Sequence, residues 1–226
     1  MKKLIICTLA ALLAIPVLAQ NRGYYNRPNP NNMRTYRAPR PYSNGNTNTY
    51  YGLRIGLDVS TVSSESSSLD GGSSSTGLGL GGYVGFQLAP ATPLYLEVGF
   101  EYKEKGGEST YQGSKFTYGL NYLEMPIVLK YQIDVDNDAT IQPFLGGYLA
   151  GWVSGKIKNY GAREASSSYS DDYFQRFDGG LRFGCGIQYN VLYAEIGYDL
   201  GLANIGHSDF DTTHTRCFFA NVGVNF

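Results

Sequence analysis

The chain has 226 residues, of which 29 are glycine and 20 are tyrosine, and only 16% are charged. This much glycine disfavours a helical bundle, because glycine in a helix interior costs about 1 kcal/mol relative to alanine. An aromatic content of 14% disfavours a disordered chain. After the N-terminal segment, no apolar run reaches the roughly 18 residues that a membrane helix needs. The composition therefore favours an all-β protein.

The first 19 residues have the pattern of a secretory signal peptide. Lys2 and Lys3 precede an apolar stretch over 4–18, and small residues stand at positions −3 and −1 of a cleavage site after Ala19. The stretch is too short for a membrane anchor. We therefore expect an exported protein whose signal peptide is cleaved after Ala19.

Residues 20–50 differ in composition from the rest of the chain. They are rich in Pro and Asn, and they hold five arginines, no acidic residue and no hydrophobic period. This composition predicts a disordered basic tether, either as a solvated linker or as a segment that binds an anionic partner such as lipid or cell-wall polymer. Because Lys2, Lys3 and these arginines precede residue 51, 11 basic and all 19 acidic residues lie in 51–226.

Residues 51–226 contain eight stretches in which apolar and polar residues alternate. Side chains of a strand switch faces at every residue, so this alternation predicts β-strands. The fifth stretch is ambiguous because aromatic residues fall on both faces. Eight strands of about 10 residues fit a closed antiparallel up-and-down barrel. The predicted strands cover residues 52–60, 78–88, 94–102, 123–131, 141–153, 177–187, 192–200 and 218–226.

Alternation alone leaves open whether the apolar face fills a soluble barrel or meets lipid. The connections favour lipid, because long and short connections alternate along the chain, as in outer-membrane barrels with short periplasmic turns and long extracellular loops. The fold prediction is therefore an eight-stranded antiparallel up-and-down transmembrane β-barrel over 51–226, with the tether in the periplasm. The predicted long loops are Ser63–Thr76, Glu104–Thr117, Ser154–Gln175 and Ala203–Thr215.

Several segments also resemble one known family. Residues 51–57 read Tyr-Gly-Leu-Arg-Ile-Gly-Leu, residues 122–126 read Tyr-Leu-Glu-Met-Pro, and residues 177–180 read Phe-Asp-Gly-Gly. Together with Glu195 and the run 201–205, they resemble the PorT-type outer-membrane β-barrel proteins of Gram-negative envelopes. In the seventh strand Gly197 and Tyr198 stand where this family often has Arg-Tyr. The resemblance implies an eight-stranded outer-membrane barrel whose terminal Phe226 is an assembly signal for the barrel-assembly machinery.

The charged residues of the predicted strands fall on the inward face. An eight-stranded barrel is just wide enough to be filled by side chains, and isolated charges there are costly. We therefore predict an ion-pair network that fills the lumen, with a proton or ion path along the carboxylates as the alternative. The predicted network consists of Arg54, Asp58, Glu97, Glu101, Lys103, Glu124, Lys130, Asp178, Arg182, Glu195 and Asp199.

The last long loop holds the two histidines of the chain, with two aspartates between them. His207, Asp209, Asp211 and His214 suggest a metal site or a hydrolytic site at the loop rim, but their spacing within one loop is weak support for either. We expect a solvated loop there, and no catalytic, cofactor or metal site in the chain.

These features predict a monomeric outer-membrane protein that is not an enzyme and does not bind nucleic acid. Its expected role is structural or in surface interaction, with the long loops as the recognition surface. Its expected partners are outer-membrane lipid and a surface or periplasmic protein. Three alternatives stay open: an accessory component of an envelope protein-secretion or transport machine, a small pore, and a loop-rim hydrolase.

Overall fold

The computed structural model describes residues 48–64, 73–90, 92–111, 114–135, 138–158, 166–168, 174–206 and 212–226. Eight long strands dominate these residues. They are β1 (Thr49–Ser64), β2 (Ser73–Ala89), β3 (Thr92–Tyr111), β4 (Ser114–Tyr131), β5 (Ala139–Ser154), β6 (Phe177–Tyr189), β7 (Leu192–Gly201) and β8 (Thr213–Asn225). Three short strands, Ile133–Asp134, Lys156–Lys158 and Ser166–Ser167, extend the sheet. Within the described ranges, no helix has the length and apolar character needed to cross a membrane.

The eight long strands form one closed sheet. Each strand pairs antiparallel with the next in sequence, and β8 pairs antiparallel with β1. The closing register places Gly52 opposite Asn225 and Ser64 opposite Thr213. Closure leaves the long strands without a free edge between them. The predicted eight-stranded antiparallel barrel is confirmed.

The barrel turns its apolar residues outward. Leu57, Phe100 and Val222 are 55%, 61% and 60% exposed, although each lies within a strand of the closed sheet. The same orientation resolves the ambiguity of the fifth predicted strand, because Leu145 and Leu149 of β5 point outward. An exterior of this kind is the apolar band that a membrane barrel presents to lipid.

One end of the barrel, the turn end, has tight connections. Strands β6 and β7 are joined by Asn190 and Val191 alone, and Asn190 has a φ of 52°. Asparagine is one of the few residues besides glycine that adopt this left-handed conformation readily. The opposite end, where β1 meets β2 and β3 meets β4, is called the loop end below.

Strand pairing extends much further towards the loop end than the sequence indicates. The predicted loop Glu104–Thr117 is instead a β-hairpin in which Glu104 pairs with Asn121 and Thr110 with Lys115. Strand β8 begins at Thr213, inside the predicted last loop. The predicted long loops are therefore too long, because a strand with polar outward residues has the same composition as a polar loop.

The predicted signal peptide and most of the predicted tether lie outside the described residues. Thr49 and Tyr50, which the prediction assigned to the tether, belong to β1. The barrel therefore begins two residues earlier than predicted.

Candidate functional site: the barrel interior

The structure places all eleven charged residues of the predicted network inside the barrel, each no more than 6% exposed. A twelfth charge, Lys105, is 4% exposed and lies beside them. Each of the seven carboxylates lies within 3.7 Å of a cationic nitrogen. These twelve side chains are called the inner network below.

The part of the inner network nearer the turn end, the lower layer, has two cations and two carboxylates. Arg54 donates to Glu97 over 2.8 Å, and Lys130 lies 2.9 Å from the same carboxylate. Both cations also lie 3.4 Å from Glu195. The Tyr50 hydroxyl donates to Glu97 over 2.6 Å. The lower layer is therefore balanced in formal charge.

The part nearer the loop end, the upper layer, is organised around Arg182. Its guanidinium donates to Glu101, Glu124 and Asp199 over 2.8, 3.0 and 2.6 Å. Strand β6 carries Arg182 directly opposite Asp199 of β7, so that pair is fixed by strand register. A guanidinium has five N–H donors in a planar fork and is suited to several carboxylates at once.

Two lysines complete the upper layer. Lys103 lies 3.1 Å from Asp58 and 2.9 Å from Asp199. Lys105 pairs with Glu124 and lies 3.7 Å from Asp178. The upper layer thus has three cations and five carboxylates. Within the described residues, Oδ2 of Asp58 has no hydrogen-bond partner.

Two aromatic rings lie between the layers. Phe144 and Phe219 stack with their centroids 6.4 Å apart, and Val128 belongs to the same buried cluster. Lys103 lies 4.1 Å from the Phe219 ring on one side, and Lys130 lies 5.2 Å from the Phe144 ring on the other. Cations over ring faces are stabilised by the aromatic quadrupole. The two charge layers are therefore separated by an apolar layer that contacts both.

Towards the loop end the interior becomes apolar. A buried cluster of aromatic and aliphatic side chains, called the outer cluster below, fills this region. Burial raises the pKa of the Tyr118 phenol to about 12 and keeps that ring neutral. The outer cluster consists of Val62, Phe116, Tyr118, Leu120, Tyr122, Tyr148, Ala150, Ile157, Phe174 and Ile205.

The outer cluster changes the interpretation of the strand pattern. Along β4, Phe116, Tyr118, Leu120 and Tyr122 point inward, whereas Glu124 and Lys130 point inward further along the same face. The outward residues change in the opposite sense, from Lys115 and Thr117 to Leu123 and Ile127. The polarity of both faces therefore reverses near residue 123, as expected where the exterior changes from water to hydrocarbon.

Sequence reasoning missed three parts of the interior. Lys105 and Phe116 lie in a stretch that is predicted as a loop, and Tyr50 lies in the predicted tether. Tyr118, Leu120 and Tyr122 lie between that loop and the predicted fourth strand. The signal that identifies them is present, because 105, 107 and 109 continue the inward parity of Glu101 and Lys103. The strand prediction depends on apolar residues at the outward positions, and in this stretch the outward positions are polar.

The predicted rim residues are only partly described. His207, Asp209 and Asp211 lie outside the described residues. His214 is in β8, where Nδ1 lies 2.9 Å from the carbonyl oxygen of Ala203. In the part of the chain that the structure covers, no group of three or more His, Cys, Asp or Glu side chains is arranged to hold a metal ion. Cys185 and Cys217 are both free.

The inner network is built so that each of its seven carboxylates lies beside at least one of its five cations. Its carboxylates face cations from other strands, and nearly all of its atoms are removed from solvent. General acid–base chemistry needs a group within reach of a substrate, and these groups instead reach one another. Their shared chemical effect is to hold the strands of a narrow barrel together through charge-assisted hydrogen bonds.

Comparison with known proteins identifies a family that this chain matches. The model for the family described as outer membrane protein beta-barrel domain matches residues 18–206. Neisserial surface protein A is 16% identical, with a TM-score of 0.46 over 79% of this chain and 99% of that chain. Ail, the attachment invasion locus protein of Yersinia pestis, solved with the heparin analogue sucrose octasulfate, is 15% identical, with a TM-score of 0.41 over 79% and 99%. OprG from Pseudomonas aeruginosa is 14% identical, with a TM-score of 0.44 over 80% and 98%.

No curated protein matches the chain. The family match spans well over half of the 226 residues and includes seven of the eight strands. The strands show the outward apolar face that such a family requires. The chain therefore belongs to the outer membrane protein beta-barrel domain family and is an outer-membrane β-barrel protein.

Proposed function

We propose that this protein is a closed, non-conducting outer-membrane barrel with a structural or surface-interaction role. The observation that supports the proposal is the burial of the inner network, whose twelve charges are engaged with one another. A conducting pore needs a continuous water-filled path, and the stacked Phe144 and Phe219 together with the outer cluster oppose one. Recognition is assigned to the loop end, where the β3–β4 hairpin extends beyond the reversal of polarity.

Planar-bilayer recording tests the closed interior. We expect no steady conductance steps from the reconstituted wild-type barrel at any ionic strength. The matched variant is Phe144→Ala with Phe219→Ala, which removes both rings between the charge layers and is expected to admit brief openings. Steady, ion-selective steps from the wild-type protein contradict the proposal and favour the small-pore alternative.

The proposed orientation places the loop end outside the cell and the turn end in the periplasm. Cysteine labelling of intact cells tests it, in a Cys185→Ala and Cys217→Ala background. A membrane-impermeant maleimide is expected to label Lys115→Cys at the β3–β4 hairpin and to spare Asp138→Cys at the turn end. The opposite labelling pattern overturns the orientation.

Four further proposals rest on features of the amino-acid sequence. They are cleavage of the signal peptide after Ala19, a periplasmic tether over 20–50, membership of the PorT-type branch, and use of Phe226 as an assembly signal. Phe226 is 51% exposed directly after β8, which suits a residue that another protein recognises. Mass spectrometry of the mature protein tests the cleavage, and Phe226→Ala is expected to reduce the amount of folded barrel in the outer membrane.

A further inference from the structure

The upper layer of the inner network contains two more carboxylates than cations. Three cations face five carboxylates there, and none of these eight side chains belongs to a residue that is more than 4% exposed. The stacked Phe144 and Phe219 lie on its turn-end side, and the outer cluster lies on its loop-end side. Uncompensated charge that is removed from water is costly. The upper layer therefore needs a further positive charge.

Three of the five carboxylates are well supported as anions. Asp199 and Glu124 each accept a hydrogen bond from Arg182, and each also lies beside a lysine. Asp178 accepts hydrogen bonds from two side-chain hydroxyls over 2.7 and 3.2 Å and from the backbone N–H of the next residue over 2.7 Å. Several donors stabilise the charged form of a buried carboxylate. The imbalance therefore lies with the two remaining carboxylates.

Those two carboxylates, Asp58 and Glu101, each pair with a single cation within the described residues. Oε2 of Glu101 accepts from Arg182 over 2.8 Å, and Oδ1 of Asp58 lies 3.1 Å from Lys103. Asp58 is on β1 and Glu101 is on β3, and they meet over Gly79 of the strand between them. A Cβ atom at Gly79 would lie 2.9 Å from Oδ2 of Asp58 and 3.6 Å from Oε1 of Glu101. Both oxygens therefore face the same point on β2.

The surroundings of this point supply no cation to Oδ2 of Asp58. Strand β2 presents glycine at the inward positions 77, 79 and 81. The thiol of Cys217 lies 3.7 Å from Oδ1, which is the oxygen that already has a partner. The titratable and charged groups that face the pair are Tyr83 of β2, Lys103 and Lys105 of β3, Glu124 of β4, Arg182 of β6, Asp199 of β7 and Cys217 of β8.

A proton suits this position better than a metal ion does. Two carboxylates that face each other hold a proton between them, because like charges cannot both ionise at close range. A proton on Oδ2 also turns an oxygen without a partner into a donor, with Glu101 as the neighbouring anionic acceptor. Cations that prefer oxygen take about six or more ligands, whereas this point is bordered by two carboxylates and by glycines that have no side chain.

We propose that Asp58 and Glu101 form a buried proton-binding site, in which Asp58 carries one proton at neutral pH and Glu101 stays ionised as its acceptor. The one remaining excess charge of the upper layer then lies at Asp178, which has three neutral donors. Only the folded barrel holds this proton, so the free energy of unfolding falls as the pH rises. The inference relies on the exclusion of water from the upper layer, and it does not depend on the orientation or the partners of the barrel.

The pH dependence of unfolding in detergent tests the proposal. Between about pH 6 and about pH 8 an unfolded Asp or Glu is ionised. A proton held only by the folded state then lowers the folding equilibrium constant about tenfold per pH unit. We expect the wild-type barrel to lose stability with rising pH more steeply than Asp58→Asn and Glu101→Gln by this factor. Asp138→Asn, the same change at an exposed carboxylate, is expected to keep the wild-type slope. Equal slopes for wild type and Asp58→Asn overturn the proposal.

Infrared spectroscopy of the folded barrel at neutral pH detects the proton directly. The C=O stretching band of a protonated carboxylic acid is expected in wild type and Asp138→Asn and is expected to be lost in Asp58→Asn. An unchanged spectrum in Asp58→Asn overturns the proposal. Metal analysis after folding and dialysis tests the other source of positive charge. One divalent cation per wild-type barrel that is absent from Asp58→Asn would assign the balance to a metal ion and would likewise overturn it.

These measurements are separate from the test of the proposed function. Anomalous migration of unboiled protein in detergent gels verifies that each variant is folded. Conductance through the wild-type barrel is recorded in planar bilayers and contradicts the closed interior whether or not the infrared band is present. Loss of the band without conductance contradicts the proton-binding site and leaves the closed barrel in place.

Discussion

The inner network and the outer cluster occupy the same interior face of the same strands, and yet their chemistry is opposite. On β4, Glu124 and Lys130 belong to the inner network, whereas Phe116 and Tyr118 belong to the outer cluster. The outward residues beside them are apolar in the first region and polar in the second. On β4, the two faces therefore have opposite polarity in each of the two regions.

The chemistry of the barrel interior at a given level depends on the medium that contacts the exterior at that level. Where lipid is outside, apolar residues are used on the exterior, and the interior carries polar groups that neutralise one another. Where water is outside, the exterior is polar and the interior is apolar, as in soluble proteins. Burial of apolar area then stabilises the interior. On β4, the level of the reversal indicates where the exterior changes from hydrocarbon to water.

The largest expected effect comes from removing the central cation of the inner network. Arg182→Ala leaves Glu101, Glu124 and Asp199 without their shared donor, and we expect a loss of about 3 to 5 kcal/mol in the free energy of unfolding. Guanidinium-induced unfolding in detergent or lipid measures it. Arg176→Ala, an exposed arginine, serves as the matched control and is expected to change the stability by less than about 0.5 kcal/mol. Similar losses for the two variants would show that the upper layer contributes little.

A substitution in the outer cluster is expected to unfold only the part of the barrel around that cluster. Phe116 is fully buried, and Phe116→Ala removes a ring from the cluster, which costs about 3 kcal/mol where the cavity persists. Because the cluster lies beyond the apolar band, we expect the β3–β4 hairpin to open while the lipid-facing part of the barrel stays folded. Limited proteolysis and hydrogen exchange measure the opening. An equal loss of protection along the lipid-facing strands would instead mean that the two regions unfold as one unit.

The fold and the charged half of the interior are predictable from the sequence for a simple reason. In the lipid-facing half, apolar residues such as Leu57 and Leu129 alternate with charges or glycine, and this identifies strand, face and interior at once. The eleven inward charges follow from parity alone. Their pairing does not, because which carboxylate Arg182 reaches depends on register and on the width of the closed barrel.

The strands of the loop end could not be predicted from the sequence. Their inward and outward polarity is reversed relative to the lipid-facing half, and their alternation is irregular. Pairing between β2 and β3 shifts register between Ser74 and Gly79, and pairing between β4 and β5 shifts at Asn121. Such irregularities break strict alternation. Ile157 and Phe174 enter the outer cluster from the long connection between β5 and β6, and no local sequence signal identifies their contacts.

The position of the polarity reversal can be tested with a charge on the outer face. Ile127→Lys introduces a cation in the middle of the lipid-facing part of β4 and is expected to cost about 2 kcal/mol. Thr117→Lys introduces the same side chain at an outward position of the same strand beyond residue 123, and it is expected to be nearly neutral. Unfolding free energies in lipid vesicles check the difference. Equal costs at both positions would indicate that residue 117 also contacts lipid, and that the membrane surface lies closer to the loop end than residue 117.

The smallest expected effect distinguishes two carboxylates within the upper layer, where five carboxylates share three cations. Asp58→Asn removes a charge from a residue whose Oδ2 accepts no hydrogen bond within the described residues, and Lys103 keeps Asp199 as its partner. We expect the stability to change by less than about 1 kcal/mol. Asp199→Asn, the same change at a carboxylate bound by both Lys103 and Arg182, is expected to cost about 3 kcal/mol. Because the two residues contact the same lysine, an equal loss for both variants would show that the unfolding free energy follows the number of charges rather than their pairing.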